Sequence, residues 1–409
     1  MRSAYLLVSA ILFAGTAHAA SLTYDAALQL AGHSAPSLEG KQDDVGAARS
    51  AAIASGRLPD PKLSFGVEGF PVSGPYAGHP ERDDFSDVRV GFSQDVPSGA
   101  KRRAERERAS ADIGVAEVSG AVEVRTVRLN TALAWIDFYF AKRRLAALDE
   151  LGKSLADLRK SSPAQVASGA ERPAQTLEPE RLTAVLGDRR AELVAAIGKA
   201  RAQLIQWTGD PDADVAGDPP EYALDATTLR SGLDRLPSLR AYDAMSRQAD
   251  ADVDMAKADK NPDWSYELAY QRRDPAFGDM IMGQVSVSLP LFGSTRQDPI
   301  ISARSQTASR VRIDREVARR AAVAELESDL ADHAMHHDRL ARSETTLVPL
   351  ADQRAKLETS SYAAGNASLS DVLEALLGLA EAKIDRLDRE ADVVRDGARI
   401  FLTYGSDPA

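Results

Sequence analysis

The chain repeats one plan twice, and this limits its possible folds more than any other feature of its 409 residues. Pro36-Ser37-Leu38 recurs as Pro237-Ser238-Leu239, 201 positions later, and at the same offset Pro61-Lys62-Leu63-Ser64-Phe65 meets Pro262-Asp263-Trp264-Ser265-Tyr266. Pro97 answers Pro290 at 193, while Gly169, Leu177 and Gly209 answer Gly365, Leu373 and Gly405 at 196. An offset that drifts this little implies two copies separated by short insertions and deletions. They divide near "GDPDADVAGDPP", Gly209 to Pro220, whose Pro, Gly and Asp content suits a surface linker. We therefore expect one copy over 20–220 and a second over 221–409.

Within each copy the pattern reads as short helices, two strands and two very long helices. Strand alternation marks hairpins at about 61–97 and about 262–290, with turn-rich tips "GFPVSGPYAGHPERD" and "RRDPAFGD". One face of these strands is aromatic and β-branched: Phe65, Val67, Val88, Val90, Phe92, Trp264, Tyr266, Leu268, Val285 and Val287. Alternation alone fits a half-buried soluble sheet as well as a membrane barrel.

Long helices are expected over about 98–208 and about 294–404. In the first, Val124, Val127, Thr131, Ala134, Phe138, Ala141, Leu145 and Leu148 follow three-four spacing, the mark of a coiled-coil seam. A broken second stripe, Val118, Val122, Leu129, Ala132, Ile136 and Tyr139, lies beside it. Two seams suit a helix packed between two partners in the wall of a tube; one wide stripe in an antiparallel bundle fits the same spacing. Pro349 predicts a kink or break in the second copy's long helix.

Residues 1–19, with Arg2, the apolar run Tyr5 to Phe13 and Ala17-His18-Ala19, read as a secretory signal peptide. No other stretch is long and apolar enough for a spanning helix, so any membrane crossing must use strands. Four strands cannot close a lipid-proof barrel, for which roughly eight is the minimum; a barrel would need several chains. Without its leader the net charge goes from −11 to −12, which argues against nucleic acid and is compatible with cationic cargo. There is no cysteine, hence no disulfide framework and no thiol metal site. Phosphate loops, Gly-x-Ser-x-Gly elbows and thiol nucleophiles are missing, so the sequence reads as neither an enzyme nor a cofactor protein.

"SSYAAGNASLSDVLEA", Ser360 to Ala375, breaks a helical pattern at Gly365-Asn366 and then resumes with Asp371 and Glu374 on one helical face. Gly365 suits the left-handed turn between antiparallel helices, and Gly169 the matching turn in the first copy. Acids here also fit an ordinary helix start. Pro173 and Pro179 delay the first copy's returning helix to near Pro179. In "DHAMHHD", His333, His336 and His337 are weak metal candidates; among Asp329, Asp332, Asp338 and Arg339 they read as a solvated face.

These pieces resemble the outer-membrane efflux protein family, the TolC-like factors, and look most like members serving heavy-metal (cobalt-zinc-cadmium type) efflux pumps of the resistance-nodulation-division type. The motifs are "SYAAGNASLSDVLEALLGLAEAK", the junctions "QDVPSGAKR" and "VSLPLFGSTR", and the paired ends "LIQWTG" and "FLTYG". The resemblance implies a mainly α protomer with a transmembrane β portion. As a homotrimer it would form a twelve-stranded barrel in outer-membrane lipid and a periplasmic α-barrel. It further implies a periplasmic adaptor and an inner-membrane pump as partners. Tyr362, Asp371 and Glu374 would form the periplasmic pore gate, and Gly169, Gly365 and Asn366 the helical tips that meet the adaptor. The implied function is passive exit of heavy-metal cations. A duct for drugs or organic solutes, a type I secretion duct and a soluble periplasmic coiled-coil scaffold are the alternatives.

Overall fold

A computed structural model describes residues 21–167 and 177–405. In chain order these form β1 (Ser21–Leu22), α1 (Tyr24–Ser34), α2 (Pro36–Ala54), β2 (Lys62–Glu68), β3 (Asp87–Val96), α3 (Gly99–Ala167), α4 (Glu178–Thr208) and β4 (Asp214–Val215). There follow α5 (Ala226–Gly232), α6 (Pro237–Ala258), β5 (Trp264–Arg272), β6 (Met280–Val287), α7 (Gln297–Arg342), α8 (Val348–Ala363) and α9 (Leu369–Tyr404). With no proline between Pro97 and Pro163, α3 runs for 69 residues, about 100 Å at 1.5 Å per residue. The described chain divides into two compact units, and each draws on both halves of the sequence.

One unit, residues 39–123 and 233–323, holds a four-stranded antiparallel sheet of order β2-β3-β5-β6. Its register pairs Phe65 with Val90, Val67 with Val88, Phe92 with Leu268, Tyr266 with Val285 and Trp264 with Val287. Directly opposed residues share a face, so all ten side chains of the expected apolar set lie together, joined by Leu63, Tyr270 and Ile281. All are exposed, Phe65 to 72% and Ile281 to 75%. The opposite face carries ion pairs: Arg89 to Glu267 at 2.5 Å and Lys62 to Asp95 at 2.8 Å. β2 and β6 each have a neighbour on one side only. Below the sheet α6 packs on α7 through small residues, Ala249 and Val253 meeting Ala308 and Val311.

The other unit, the described parts of 1–38, 124–232 and 324–409, has its core around α3. Trp135, Ile136 and Phe140 are buried there with Leu204 of α4, Ala398 of α9 and Tyr24 of α1. The Trp135 indole N–H donates to the Leu22 carbonyl at 2.9 Å, and its ring stacks on Tyr139. Val127, Thr131, Ala134, Phe138, Ala141 and Leu148 of the first stripe and Ala132 and Ile136 of the second are buried, with Leu129, Tyr139 and Leu145 partly so; Val124 is exposed, so the seam starts one step later than the spacing suggests. Between Thr131 and Ala141 burial extends nearly all round the helix, because other elements surround it.

Two expectations change. The stretch read as a surface linker contains β4, which pairs in parallel with β1 (Ser21 with Asp214, Leu22 with Val215) and buries Ala213 and Val215. Composition marked the turns but could not show the distant strand that captures it. The break predicted at Pro349 takes the form of a π turn over 343–347, in which the Val348 N–H donates to Ser343 five residues back. Pro349 has no N–H to give and would crowd the carbonyl four residues before it, and the wider turn relieves both.

Candidate functional site

The reversal between α8 and α9 is built from backbone chemistry. Gly365 has φ +78°, a conformation that a side chain would strain. The Gly365 N–H donates to the Tyr362 carbonyl at 2.9 Å and the Asn366 N–H to the Ser361 carbonyl at 2.8 Å, which satisfies the last carbonyls of α8 in a Schellman turn. Two residues later Ser368 caps α9. Its Oγ accepts from the Asp371 N–H at 3.3 Å, while the Asp371 carboxylate accepts from the Ser368 N–H at 2.9 Å and from the Ser368 hydroxyl at 2.7 Å. These bonds from Ser368, side chain first and backbone second, hold the Asp371 carboxyl below its ordinary range, and Arg354 adds to the effect.

Glu374, one turn on, accepts from Arg354 of α8 at 3.0 Å, with both side chains in solvent. Both expected acids are exposed at the start of α9, and each also has a local partner. Tyr362 packs, partly buried, on the cluster of Leu151, Leu182, Leu369 and Leu373. α4 begins at Glu178 with Pro179 in its first turn, where proline is tolerated. Gly169 and Pro173 lie outside the described residues. Sequence reasoning passed over Ser368 and Arg354. The first has a readable signal, Ser-x-x-Asp ahead of an apolar run; the second lies 20 residues from its partner and has none.

The histidines are not a uniformly solvated face, which corrects the sequence reading. His336 Nδ1 bonds the Asp396 carboxylate of α9 at 2.6 Å, and Asp396 is only 6% exposed. His333 is half-buried, its Nδ1 buried with no hydrogen-bond partner, and burial pulls its pKa down. His337 is exposed. Among the described residues no three His, Asp or Glu side chains are arranged to enclose an ion.

The sheet is open, with one apolar and one ion-paired face and an outer strand at each edge, and among the described residues no helix is long and apolar enough to cross a membrane. Residues 229–406 match the family model of outer membrane efflux protein, a family whose members are ducts and not enzymes. No curated protein matches the sequence. Among solved structures the chain is similar to CusC, with a TM-score of 0.79 and 14% identity over 94% of this chain and 92% of that one. It is similar to the Campylobacter jejuni CmeC outer membrane channel (TM-score 0.77, 12% identity, 93% and 85% covered) and to the Vibrio cholerae outer membrane protein VceC (0.76, 17%, 94% and 96%). At these identities the likeness establishes the TolC-like protomer fold.

Proposed function

We propose that three copies of this chain close a twelve-stranded barrel in the outer membrane and form the passive exit duct of a tripartite resistance-nodulation-division efflux system for heavy-metal cations. The observation that carries the reading is the open sheet. Its apolar face has no cover within the protomer, and each edge strand lacks a neighbour on one side. Three sheets of four strands joined edge to edge exceed the eight needed for closure and put the apolar faces toward lipid and the ion-paired faces toward a lumen. Phe65, Val67, Val88, Val90, Phe92, Trp264, Tyr266, Leu268, Val285 and Val287 are then the lipid contacts.

The tip reading follows from the same symmetry. Repeated about a three-fold axis, exposed Asp371 and Glu374 become rings of carboxylate that attract cations and repel anions. The turn at Gly365 and Asn366 is then the surface that meets a periplasmic adaptor, with an inner-membrane pump as the source of energy. Metal as cargo is supported by the likeness of "SYAAGNASLSDVLEALLGLAEAK" to members serving metal pumps and by the acidic balance of the chain. Deleting the gene should sensitise cells to one or more of cobalt, zinc, cadmium, nickel and copper more than to dyes or detergents. Sensitivity to dyes and detergents alone would replace metal by organic solutes, and release of the protein by osmotic shock would replace the duct by a soluble scaffold.

A further inference from the structure

We propose that His333 and His337 form a binding site on α7 for a divalent transition-metal cation, with water filling the remaining coordination positions. The two residues are one helical turn apart and project from the same side of the helix. Their ring centroids lie 6.5 Å apart with the planes at 60°. With a metal–nitrogen bond of about 2.0–2.1 Å, two imidazoles that share an ion have centres roughly 5–6 Å apart. Sharing an ion therefore requires the exposed His337 ring to turn toward His333.

Two observations favour a ligand here. A buried polar atom with no partner calls for an explanation, and His333 Nδ1 is such an atom. The Asp396 carboxylate, buried and bonded to the neighbouring His336, places negative charge beside the pair and makes the surroundings more favourable to a cation. The neighbouring His336 is already bonded to Asp396 and stands outside the pair. Nitrogen donors suit zinc, copper and nickel rather than magnesium or calcium. A site with two protein ligands holds its ion exchangeably, unlike a closed structural zinc site. Both ligands lie on α7, and the site does not depend on what the duct exports, since a duct for organic solutes would carry it as well.

The test uses the full-length, tag-free protein in detergent, dialysed to equilibrium against Zn²⁺ alone, with Mg²⁺ in parallel. Saturable uptake of about one Zn²⁺ per chain and none of Mg²⁺ is expected. His337→Gln, at an exposed position that folding does not need, should weaken binding at least about tenfold. His333→Gln should do the same, while His336→Gln should leave binding within about threefold. Lowering the pH from 7.5 to 5 should release the ion as protons compete for the imidazoles. Absence of saturable Zn²⁺ binding, or a loss of less than about tenfold in His337→Gln, overturns the proposal.

Discussion

Ser368 and Asp371 show how one carboxylate fixes a helix start, and the proposed gate would use the same group. The capping box fixes where α9 starts and lowers the Asp371 pKa. A depressed carboxyl contributes stability that is fully present above its unfolded pKa, about 3.9, and is lost as the pH falls through the folded value. Amide protection in the first turn of α9, corrected for intrinsic exchange, should therefore be flat above about pH 5 and fall in the acid range below 4. Ser368→Ala should lower that protection by about 1 kcal/mol at neutral pH and blunt the acid dependence. Protection independent of Ser368 would show that the cap does not set this turn. Asp371→Asn keeps an oxygen that can accept at the cap while removing the charge. Combined with Glu374→Gln it should leave assembly intact and reduce cation selectivity in single-channel recordings; unchanged selectivity would remove both residues from the gate. The cap was legible in four consecutive residues. The Arg354 to Glu374 pair and the His336 to Asp396 bond were not, because the folded path, not local spacing, brings residues 20 and 60 positions apart together.

At the scale of the element, the strands were the most legible feature. A period of two is local, and once the apolar set shares a face the register follows from the hairpins. The facing predicts that Val88→Arg or Val287→Arg will impair insertion far more than Arg89→Ala, with a cost at mid-membrane of about 2–4 kcal/mol. Equal insertion of all three, followed by heat-modifiable mobility in gels, would refute the facing. The long helix was legible in extent but not in surroundings. Its stripes fitted either two seams or one wide face, whereas Trp135 and Phe140 complete a nearly closed ring of contact, and the N-terminal segment joins that core through the pairing of β1 with β4. Trp135→Ala removes both the ring and the donor to the Leu22 carbonyl, and should cost about 3–5 kcal/mol in urea titrations. Trp135→Phe, which retains most of the packing, should cost about 1–3 kcal/mol.

At the scale of the whole molecule, the described open sheet has four strands made of two hairpins, β2-β3 and β5-β6, and in the two-copy reading of the sequence each copy supplies one. The central claim is that this sheet is completed by other copies of itself, joined from β6 of one to β2 of the next. Within one protomer β2 and β6 are the two outer strands, three strand spacings apart, or about 14 Å, while a disulfide requires Cα atoms within about 7 Å. The chain contains no cysteine of its own, so any bond between introduced residues is unambiguous. With Ser64→Cys in β2 and single cysteines scanned along β6 from Met280 to Val287, mild oxidation in membranes should give covalent trimers at matching positions. A scan that yields monomers alone, at every position, would contradict the account.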